Sequence, residues 1–177
     1  MRIKKIITGY LKENCYILIN NNDCLIIDPG DNYDDILKVV KSLNIKGILI
    51  THYHFDHIGA LNKLLNHKKT NVYDYRLSEK IYKVDDFEFK IIKTPGHTSD
   101  SISFYFESDE VMFTGDFIFK NSIGRTDLES GSNIDMKKSI EKFKNFNKNI
   151  TIYPGHGDKS NIDYELKHNI YLSSLHN

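Results

Sequence analysis

The sequence predicts an α/β protein in which two β-sheets are covered by helices. Short segments rich in Ile, Leu, Tyr and Cys, near 2–7, 14–19 and 24–28, follow one another as strands in hairpin-like succession. Amphipathic helical segments are interspersed with these strands, and such elements bury their apolar faces by packing in layers. The chain has 177 residues, of which 40 % are apolar, so we expect one domain, 1–177, with a core of its own.

Helical and extended segments alternate along the rest of the chain. Within 31–43, apolar residues recur at helical spacing, and Asp34 and Asp35 occupy the end that the helix dipole favours for acidic groups. The remaining segments are strands predicted at 47–51, 87–94, 101–106, 111–115 and 150–153, and helices predicted at 58–67, 133–146 and 161–175. No linker rich in Pro, Gly or Ser interrupts them, which agrees with a single domain.

The charge balance limits the kinds of partner. Lys plus Arg and Asp plus Glu each number 24, so no overall field attracts nucleic acid or an anionic membrane, and we expect neither as a partner. The N-terminal segment lacks an apolar stretch long enough for a signal peptide, and no apolar run approaches the roughly 18 residues of a membrane helix. We therefore expect a cytoplasmic protein, and the sequence does not predict its oligomeric state.

Two cysteines, Cys15 and Cys24, lie inside predicted strands. A disulfide or a thiolate metal site is one interpretation, and two buried thiols that act as small apolar side chains are the other. Neither residue has a Cys or His at metal-site spacing, and the chain carries no export signal. We expect buried free thiols.

Four apolar strands end in small or turn-forming residues that are followed by a side chain able to bind a metal. The segments are GILIT before His52, IIKTPG before His97, VMFTG before Asp116 and ITIYPG before His156. Pro-Gly and Thr-Gly turns let the backbone bend sharply at a strand end. Because polar groups at neighbouring strand ends of one sheet edge converge, we expect these four side chains to meet.

The segment THYHFDH, residues 51–57, concentrates metal-binding residue types. Residues two apart in an extended segment point the same way, so His52 and His54 can chelate one cation together. Asp56 and His57 follow where the chain turns into the next helix, and they can face a second cation; imidazole and carboxylate groups bind Zn, Fe or Mn. A polar loop whose histidines bond to backbone is the alternative, but it leaves the other three turns unexplained. The histidines without such companions are expected at the surface or the edge of the core: His67, His168 and His176.

The ordered set THYHFDH, TPGHT, FTGD and YPGHG resembles the metallo-β-lactamase superfamily, and within it the small, single-domain glyoxalase II-like (hydroxyacylglutathione hydrolase-like) proteins. The segments NCYIL, LIIDPG and SIGRTDL extend the likeness over nearly the whole chain. The resemblance implies a four-layer αββα sandwich, the metallo-β-lactamase fold, with a dinuclear metal site at one edge. It also implies two divalent metal ions per chain, zinc foremost, with iron and manganese as alternatives.

Carried over position by position, the resemblance gives each of these side chains a role. It implies that the first metal is held by His52, His54 and His97. It implies that the second metal is held by Asp56, His57 and His156, and that Asp116 bridges the two.

The implied reaction is hydrolysis of a small acyl thioester such as S-lactoylglutathione. Asp56 is the candidate to orient the nucleophile and accept its proton, and Asp116 would keep the metals at working distance. The other nitrogen of a ligand histidine needs an acceptor of its own. Asp28, in LIIDPG, is a candidate for that acceptor, and a cap of its own turn is the alternative.

Substrate specificity is where the likeness is weakest. Arg125, in SIGRTDL, matches a position at which relatives carry a basic residue that can contact a glutathione carboxylate; a salt bridge to Asp127 is the alternative. The tyrosines that assist in the larger enzymes are replaced by Asp127 and Asp158. About twenty residues follow YPGHG, so we expect one closing helix and no C-terminal helical substrate domain. A small-molecule thioester other than the glutathione adduct of lactate is therefore left open as the substrate.

Other functions of the same superfamily compete with the hydrolase. The alternative is a persulfide dioxygenase with a mononuclear non-haem iron on His52, His54 and His97, since relatives of that kind also carry GRTD; the PGHG and SIG segments favour the hydrolase. β-Lactamases typically carry another residue, often Cys, where Asp116 stands, so we do not expect antibiotic hydrolysis. Flavin-linked di-iron relatives usually carry Glu in place of His54. A nuclease would need a basic face, and a non-catalytic binding protein would have lost a ligand; the sequence shows neither feature.

Overall fold

A computed structural model describes residues 1–173 of the chain, and its first sheet has five strands. They are β1 (Arg2–Thr8), β2 (Glu13–Asn20), β3 (Asp23–Ile27), β4 (Asn44–Leu49) and β5 (Asn71–Tyr73), adjacent in that order. The first three pair antiparallel, and β4 and β5 continue the sheet in parallel pairing. Parallel neighbours need crossover connections, which the first helices of the chain provide.

The second sheet has six strands in the described part of the chain. They are β6 (Ile81–Val84), β7 (Phe87–Lys93), β8 (Ile102–Phe106), β9 (Val111–Gly115), β12 (Thr151–Pro154) and β13 (Ser160–Asn161). The order across the sheet is β13-β12-β9-β8-β7-β6, and β9 and β12 form its parallel pair. The short ribbon of β10 (Ile118–Phe119) and β11 (Ser122–Ile123) lies between β9 and β12 in sequence.

Helices cover the outer face of each sheet. On the first sheet lie α1 (Tyr33–Val40) and α3 (Leu61–His67), whereas α4 (Asn133–Phe143) and α5 (Ile162–His168) cover the second. Two single turns complete the set, α2 (Phe55–Ile58) and α6 (Ile170–Ser173). The predicted four-layer αββα sandwich is therefore confirmed. Among residues 1–173, none of the helices has the length and apolarity that crossing a bilayer requires.

Strand β2 shows why the strands have continuous apolar sequences rather than alternating apolar and polar residues. Tyr16 and Leu18 point into the core between the two sheets, whereas Cys15 and Ile17 point into the core under the helices. Both faces of the strand are therefore buried, as expected for a sheet covered on both sides. The interior fixes the strand positions, and the strand ends are left to carry polar residues.

Two predicted helices are each broken in the structure. The segment 58–67 divides at Gly59, where a Cβ atom would lie 2.2 Å from the carbonyl oxygen of Gly30, because the chain packs tightly on that turn. The closing segment divides at the buried Asn169, whose side chain donates to Glu165 Oε2 and accepts from the backbone N–H of Tyr171. An Asn side chain that bonds to the backbone competes with the helix, so the helix ends there.

The structure also bears on the predictions for the two cysteines and for the histidines outside the metal-binding motifs. Cys15 and Cys24 are free and buried, as predicted. His67 and His168 lie exposed at the ends of α3 and α5, also as predicted. His176 lies outside the described residues.

Candidate metal centre

The predicted convergence of strand ends occurs at one end of the sandwich. The loop after β4 carries His52 and His54, and the turns after β7, β9 and β12 carry His97, Asp116 and His156. Backbone bonds hold these turns together: the N–H of Ile102 donates to the carbonyl of Thr51 at 2.9 Å, and that of Gly155 to Gly115 at 2.9 Å. Both sheets therefore contribute to one cluster.

Three histidines form the first group in this cluster. His54 Nδ1 lies 3.1 Å from His52 Nε2 and 3.0 Å from His97 Nε2. Ligands placed ~2.0–2.1 Å from one tetrahedral cation are about 3.3 Å apart, so the spacing suits a metal. Burial lowers the pKa of His52 well below its usual value and lowers that of His54, with the neighbouring histidines adding to the effect. Both rings are thus neutral at neutral pH, the form that binds a metal.

The second group combines one carboxylate with two histidines. His156 Nε2 lies 3.3 Å from Asp56 Oδ2, and His57 Nε2 lies 3.9 Å from the same oxygen. Burial would raise the pKa of Asp56, but the hydrogen bond from His156 and the charge of His57 outweigh it and lower that pKa. Asp56 is therefore ionised at neutral pH.

Asp116 lies between the two groups. Its Oδ1 is 3.3 Å from His57 Nε2, and its Oδ2 is 3.5 Å from His97 Nε2 and 3.6 Å from His156 Nε2. Burial would raise the pKa of Asp116, but the charges of His57, His156 and His97 lower it overall. One ionised carboxylate thus presents an oxygen to each group.

Two buried atoms at this point test whether the residues fit a metal. His57 Nε2 and Asp116 Oδ1 have no hydrogen-bond partner within residues 1–173, and leaving such atoms unpaired is costly. Burial would lower the pKa of His57, yet the charges of Asp116 and Asp28 raise it well above its usual value, so the site favours positive charge at this ring. A divalent cation between the two atoms would satisfy both, and a set of imidazoles and carboxylates suits Zn, Fe or Mn.

The glycine of the last turn is needed for this geometry. A Cβ atom on Gly155 would lie 2.4 Å from Asp116 Oδ1 and 2.6 Å from His57 Cε1. No side chain can occupy that position without displacing the two groups. The PGH spelling of the turn is therefore explained by close packing against the cluster.

The second nitrogen of most of the clustered histidines has an acceptor. His97 Nδ1 lies 2.7 Å from the carbonyl oxygen of Arg125, and His156 Nδ1 lies 3.1 Å from that of Leu11. His52 Nδ1 lies 3.1 Å from Thr51 Oγ1. Such partners fix the ring orientation and leave the other nitrogen free for a metal.

Asp28 supports His57 from behind. Its Oδ2 lies 2.9 Å from His57 Nδ1, and its two oxygens accept from the hydroxyl and the backbone N–H of Thr51 at 2.6 and 2.7 Å. The residue is buried and adopts a left-handed backbone conformation with φ 46°. Of the two predicted roles for Asp28, the structure shows contact with the histidine.

The sequence analysis missed Glu13, which is fully buried beside His57. Its Oε1 lies 3.9 Å from His57 Nδ1, and its Oε2 accepts from the hydroxyl of Thr8 at 2.7 Å. Burial raises the pKa of Glu13 to about 9. The signal that could have found it was an acidic residue directly before the buried NCYIL strand.

A cavity of about 570 Å³ opens over the cluster. Leu11, Phe55 and Leu128 line its apolar side, and Arg125 reaches its rim. Arg125 also forms a bidentate ion pair with Asp127, at 2.7 Å for both bonds, and both side chains are largely exposed. The two predicted roles of Arg125 are therefore compatible in space, because an exposed ion pair is weak and can exchange for another anion.

The comparisons with known proteins agree with this geometry. A family model described as the metallo-beta-lactamase superfamily matches residues 8–83 and 73–156. A protein named hydroxyacylglutathione hydrolase GloC, from Haemophilus influenzae, is 30 % identical over 98 % of this chain and 99 % of its own. A hydroxyacylglutathione hydrolase from Francisella philomiragia is 33 % identical over 94 % of this chain and 72 % of its own.

Solved structures match over nearly the full length as well. A structure described as the BLEG-1 B3 metallo-beta-lactamase has a TM-score of 0.91 at 30 % identity, covering 97 % of this chain and 100 % of its own. Another, TTHA1623 in a di-iron-bound form, has a TM-score of 0.87 at 25 % identity, covering 95 % of this chain and 99 % of its own. The chain belongs to the metallo-β-lactamase superfamily, and this membership supports a metal-dependent hydrolase.

Proposed function

We propose that the protein is a dinuclear metal-dependent hydrolase of a small acyl thioester, of the hydroxyacylglutathione hydrolase type. The observation that supports this most is the presence of two ligand groups on either side of Asp116, each with three ligand atoms that all lie within 4.8 Å of one another. The relatives named hydroxyacylglutathione hydrolase, at 30 and 33 % identity, support the thioester as substrate.

The proposal assigns each clustered side chain to a metal. The first ion would be held by His52, His54 and His97, the second by Asp56, His57 and His156, and Asp116 would contact both. Zinc is the first choice, and iron and manganese suit the same donors; a di-iron-bound form of one structural relative keeps iron in consideration. We propose that one domain carries this site, with the bounds 1–177 that the sequence predicts.

The residues of the chain then perform the following steps. When bound, the two cations lower the pKa of a water and polarise a carbonyl oxygen. Asp56 is ionised and borders the cavity, so it is placed to accept the proton of the attacking water. The water oxygen bonds to the acyl carbon, the carbon–sulfur bond breaks, and the thiolate takes up the proton from Asp56. The products are a carboxylic acid and a thiol.

The cavity supports a small-molecule substrate. Its volume of about 570 Å³ lies within the range of ~300–1,000 Å³ that small-ligand sites occupy. The apolar residues Leu11, Phe55 and Leu128 can contact the acyl group or the thiol chain, and Arg125 can bind a carboxylate of the thiol. A cytoplasmic location and the lack of a nucleic-acid partner stay predictions from composition.

The test combines metal analysis with a thioester assay on the wild type and Asp116→Asn. We expect about two metals per chain and hydrolysis of S-lactoylglutathione by the wild type. The Asn variant keeps the shape of the side chain but loses the negative charge that both metals would share. We therefore expect kcat/KM to fall by more than about a hundredfold, which exceeds the usual effect of changing a residue that only supports a metal ligand. Asp86→Asn, at an exposed position outside the cluster, is the matched control. Wild-type protein that binds metal and leaves every acyl thioester intact would contradict the proposal.

The same experiment separates the alternatives. One iron per chain together with consumption of O2 when a persulfide is supplied as substrate would establish the dioxygenase instead. Because one structural relative is described as a B3 metallo-β-lactamase, a chromogenic β-lactam belongs in the substrate panel. The expectation that Asp116 disfavours antibiotic hydrolysis stays a prediction until that assay is done.

A further inference from the structure

A second cavity, of about 500 Å³, lies where the edge strand β1 of the first sheet approaches β12 of the second. Three lysines and one acidic residue line it, and its floor is formed by tyrosine side chains: Lys5, Lys120, Lys159, Asp158, Tyr16 and Tyr153. The hydroxyl of Tyr16 donates to the carbonyl of Pro154 at 2.7 Å, and the ring of Tyr153 stacks on Phe113 at 5.1 Å. The floor is therefore held firmly across both sheets.

The three lysines lack acidic partners. Lys5 Nζ donates to the carbonyl of Gly157 at 3.2 Å, whereas Lys120 and Lys159 lie 6.0 Å above the rings of Tyr164 and Tyr153. Within residues 1–173, no carboxylate oxygen lies within 4.0 Å of any of these ammonium groups. Against one aspartate, the three lysines give the lining an excess of two positive charges.

This lysine cavity lies near the metal centre, although the cavity over the metal centre has other lining residues. Asp158 and Lys159 are the second and third residues after His156, and an extended residue spans at most ~3.6 Å, so the Cα of Asp158 lies within about 7 Å of that of His156. On the other side, the ring of Phe119, next to Lys120, lies 6.1 Å from the His156 ring. Two of the three lysines therefore belong to segments that contain or contact His156, which makes the two cavities neighbours.

We propose that the lysine cavity binds a phosphate group carried by the thiol portion of the substrate, so that the substrate class is an acyl thioester of a phosphate-bearing thiol. A phosphomonoester carries about −1.5 to −2 charges at neutral pH, which matches the excess of two positive charges. Lysine binds phosphate as a point charge and needs no bidentate geometry, so three converging ammonium groups suit it. A glutathione thiol, with two carboxylates and one ammonium group, has a net charge nearer −1 and matches less well. This inference rests on the proposed thioester hydrolysis.

The binding test uses adenosine 3′,5′-bisphosphate as the probe and calorimetry on the full-length, metal-loaded protein. The variant carries K5Q, K120Q and K159Q together. We expect its affinity for the probe to fall about tenfold, since each exposed charge contributes roughly twofold to threefold. The matched control is Lys80→Gln, because Lys80 lies 5.1 Å from the ring of Tyr82 in the same kind of contact but at the opposite edge of the second sheet. Equal affinity in the wild type and the triple variant would overturn the proposal, because the phosphate would then bind elsewhere, for example at the metals.

A kinetic comparison identifies the source of the anion. We expect the ratio of kcat/KM for S-acetyl coenzyme A to kcat/KM for the uncharged S-acetyl-N-acetylcysteamine to fall about tenfold in the triple variant and to stay constant in Lys80→Gln. Taking the ratio within each protein removes any general loss of activity. If the lysines instead govern the rate with S-lactoylglutathione alone, the ligand is a carboxylate and the phosphate assignment is wrong. If none of these thioesters is hydrolysed but the lysines still govern binding of the bisphosphate, the proposed reaction fails while the phosphate site stands.

Discussion

The two ligand groups of the metal centre differ in charge and in support. The first, His52, His54 and His97, is made of imidazoles alone, and burial keeps the pKa of His52 and of His54 low. The second contains Asp56, and its His57 rests on the buried carboxylate of Asp28. Each group thus has three ligands. The second group differs because it contains a carboxylate ligand and because a buried carboxylate, Asp28, contacts the ring of His57.

The largest expected effect comes from removing one ligand of each group. In His54→Ala and in His156→Ala, we expect metal content to fall from about two to about one per chain. We expect kcat/KM to fall by more than about a hundredfold, because the proposed hydrolysis needs both ions. Elemental analysis with parallel thioester assays measures this. His67→Ala, at an exposed helix end, is the control and should change neither value. Retention of both metals in either ligand variant would show that its group is wrongly assigned.

A smaller effect is expected when residues that lie behind the ligands, rather than the ligands themselves, are changed. Asp28→Asn keeps the shape but removes the charge behind His57, so we expect the affinity for the second metal to fall about tenfold to a hundredfold. Asp100, beside the first group, is the comparison: it accepts from the backbone N–H of Tyr53 at 3.2 Å, and within residues 1–173 it makes no hydrogen bond to a ligand ring. Asp100→Asn should therefore lower metal affinity less than about threefold. Competition with a chromogenic chelator gives both affinities, and equal losses in the two variants would remove the asymmetry.

The next prediction concerns Arg125, which lies beside the first group. The carbonyl of Arg125 accepts from His97 of the first group, and its guanidinium borders the cavity. We expect Arg125→Gln to raise KM for S-lactoylglutathione roughly threefold to tenfold, since it removes one charge-assisted contact. Asp127→Asn frees the guanidinium from its ion pair and should not raise KM. An increase of the same size in both variants would mean that the ion pair only shapes the loop.

The smallest effect is expected at Glu13. Its nearest oxygen is 3.9 Å from His57 Nδ1, whereas Asp28 lies at 2.9 Å, so Asp28 carries the contact with the ring. Glu13→Gln keeps both the volume and an oxygen that accepts from Thr8. We expect the affinity for the second metal to change less than about threefold, measured by the same chelator competition. A loss as large as that of Asp28→Asn would place both carboxyl groups behind the second metal.

The sequence predicts the parts of the molecule that depend on local pattern. Apolar strands that end in Thr-Gly or Pro-Gly turns locate His97, Asp116 and His156, because the strand interior must be buried and the turn must bend. The layered fold follows from strands such as β2, whose residues are apolar on both faces. These features need only neighbouring residues to be understood.

The parts that depend on packing between distant segments were missed. The helix break at Gly59 arises from contact with Gly30, and the break at Asn169 from bonds to Glu165 and Ser122. Glu13 becomes significant only when β2 passes behind His57.

The lysine cavity shows the same limit at the surface. Its three cations come from residues 5, 120 and 159, which no local pattern connects. Only the meeting of the two sheets at β1 and β12 brings them together.

The most direct test of the account is a crystal structure of the metal-loaded protein with data collected at the absorption edge of the metal. The account predicts two anomalous peaks about 3.5–4 Å apart. One should be surrounded by His52, His54 and His97, the other by Asp56, His57 and His156, with one Asp116 oxygen on each. A single peak, or a peak away from these side chains, would contradict it.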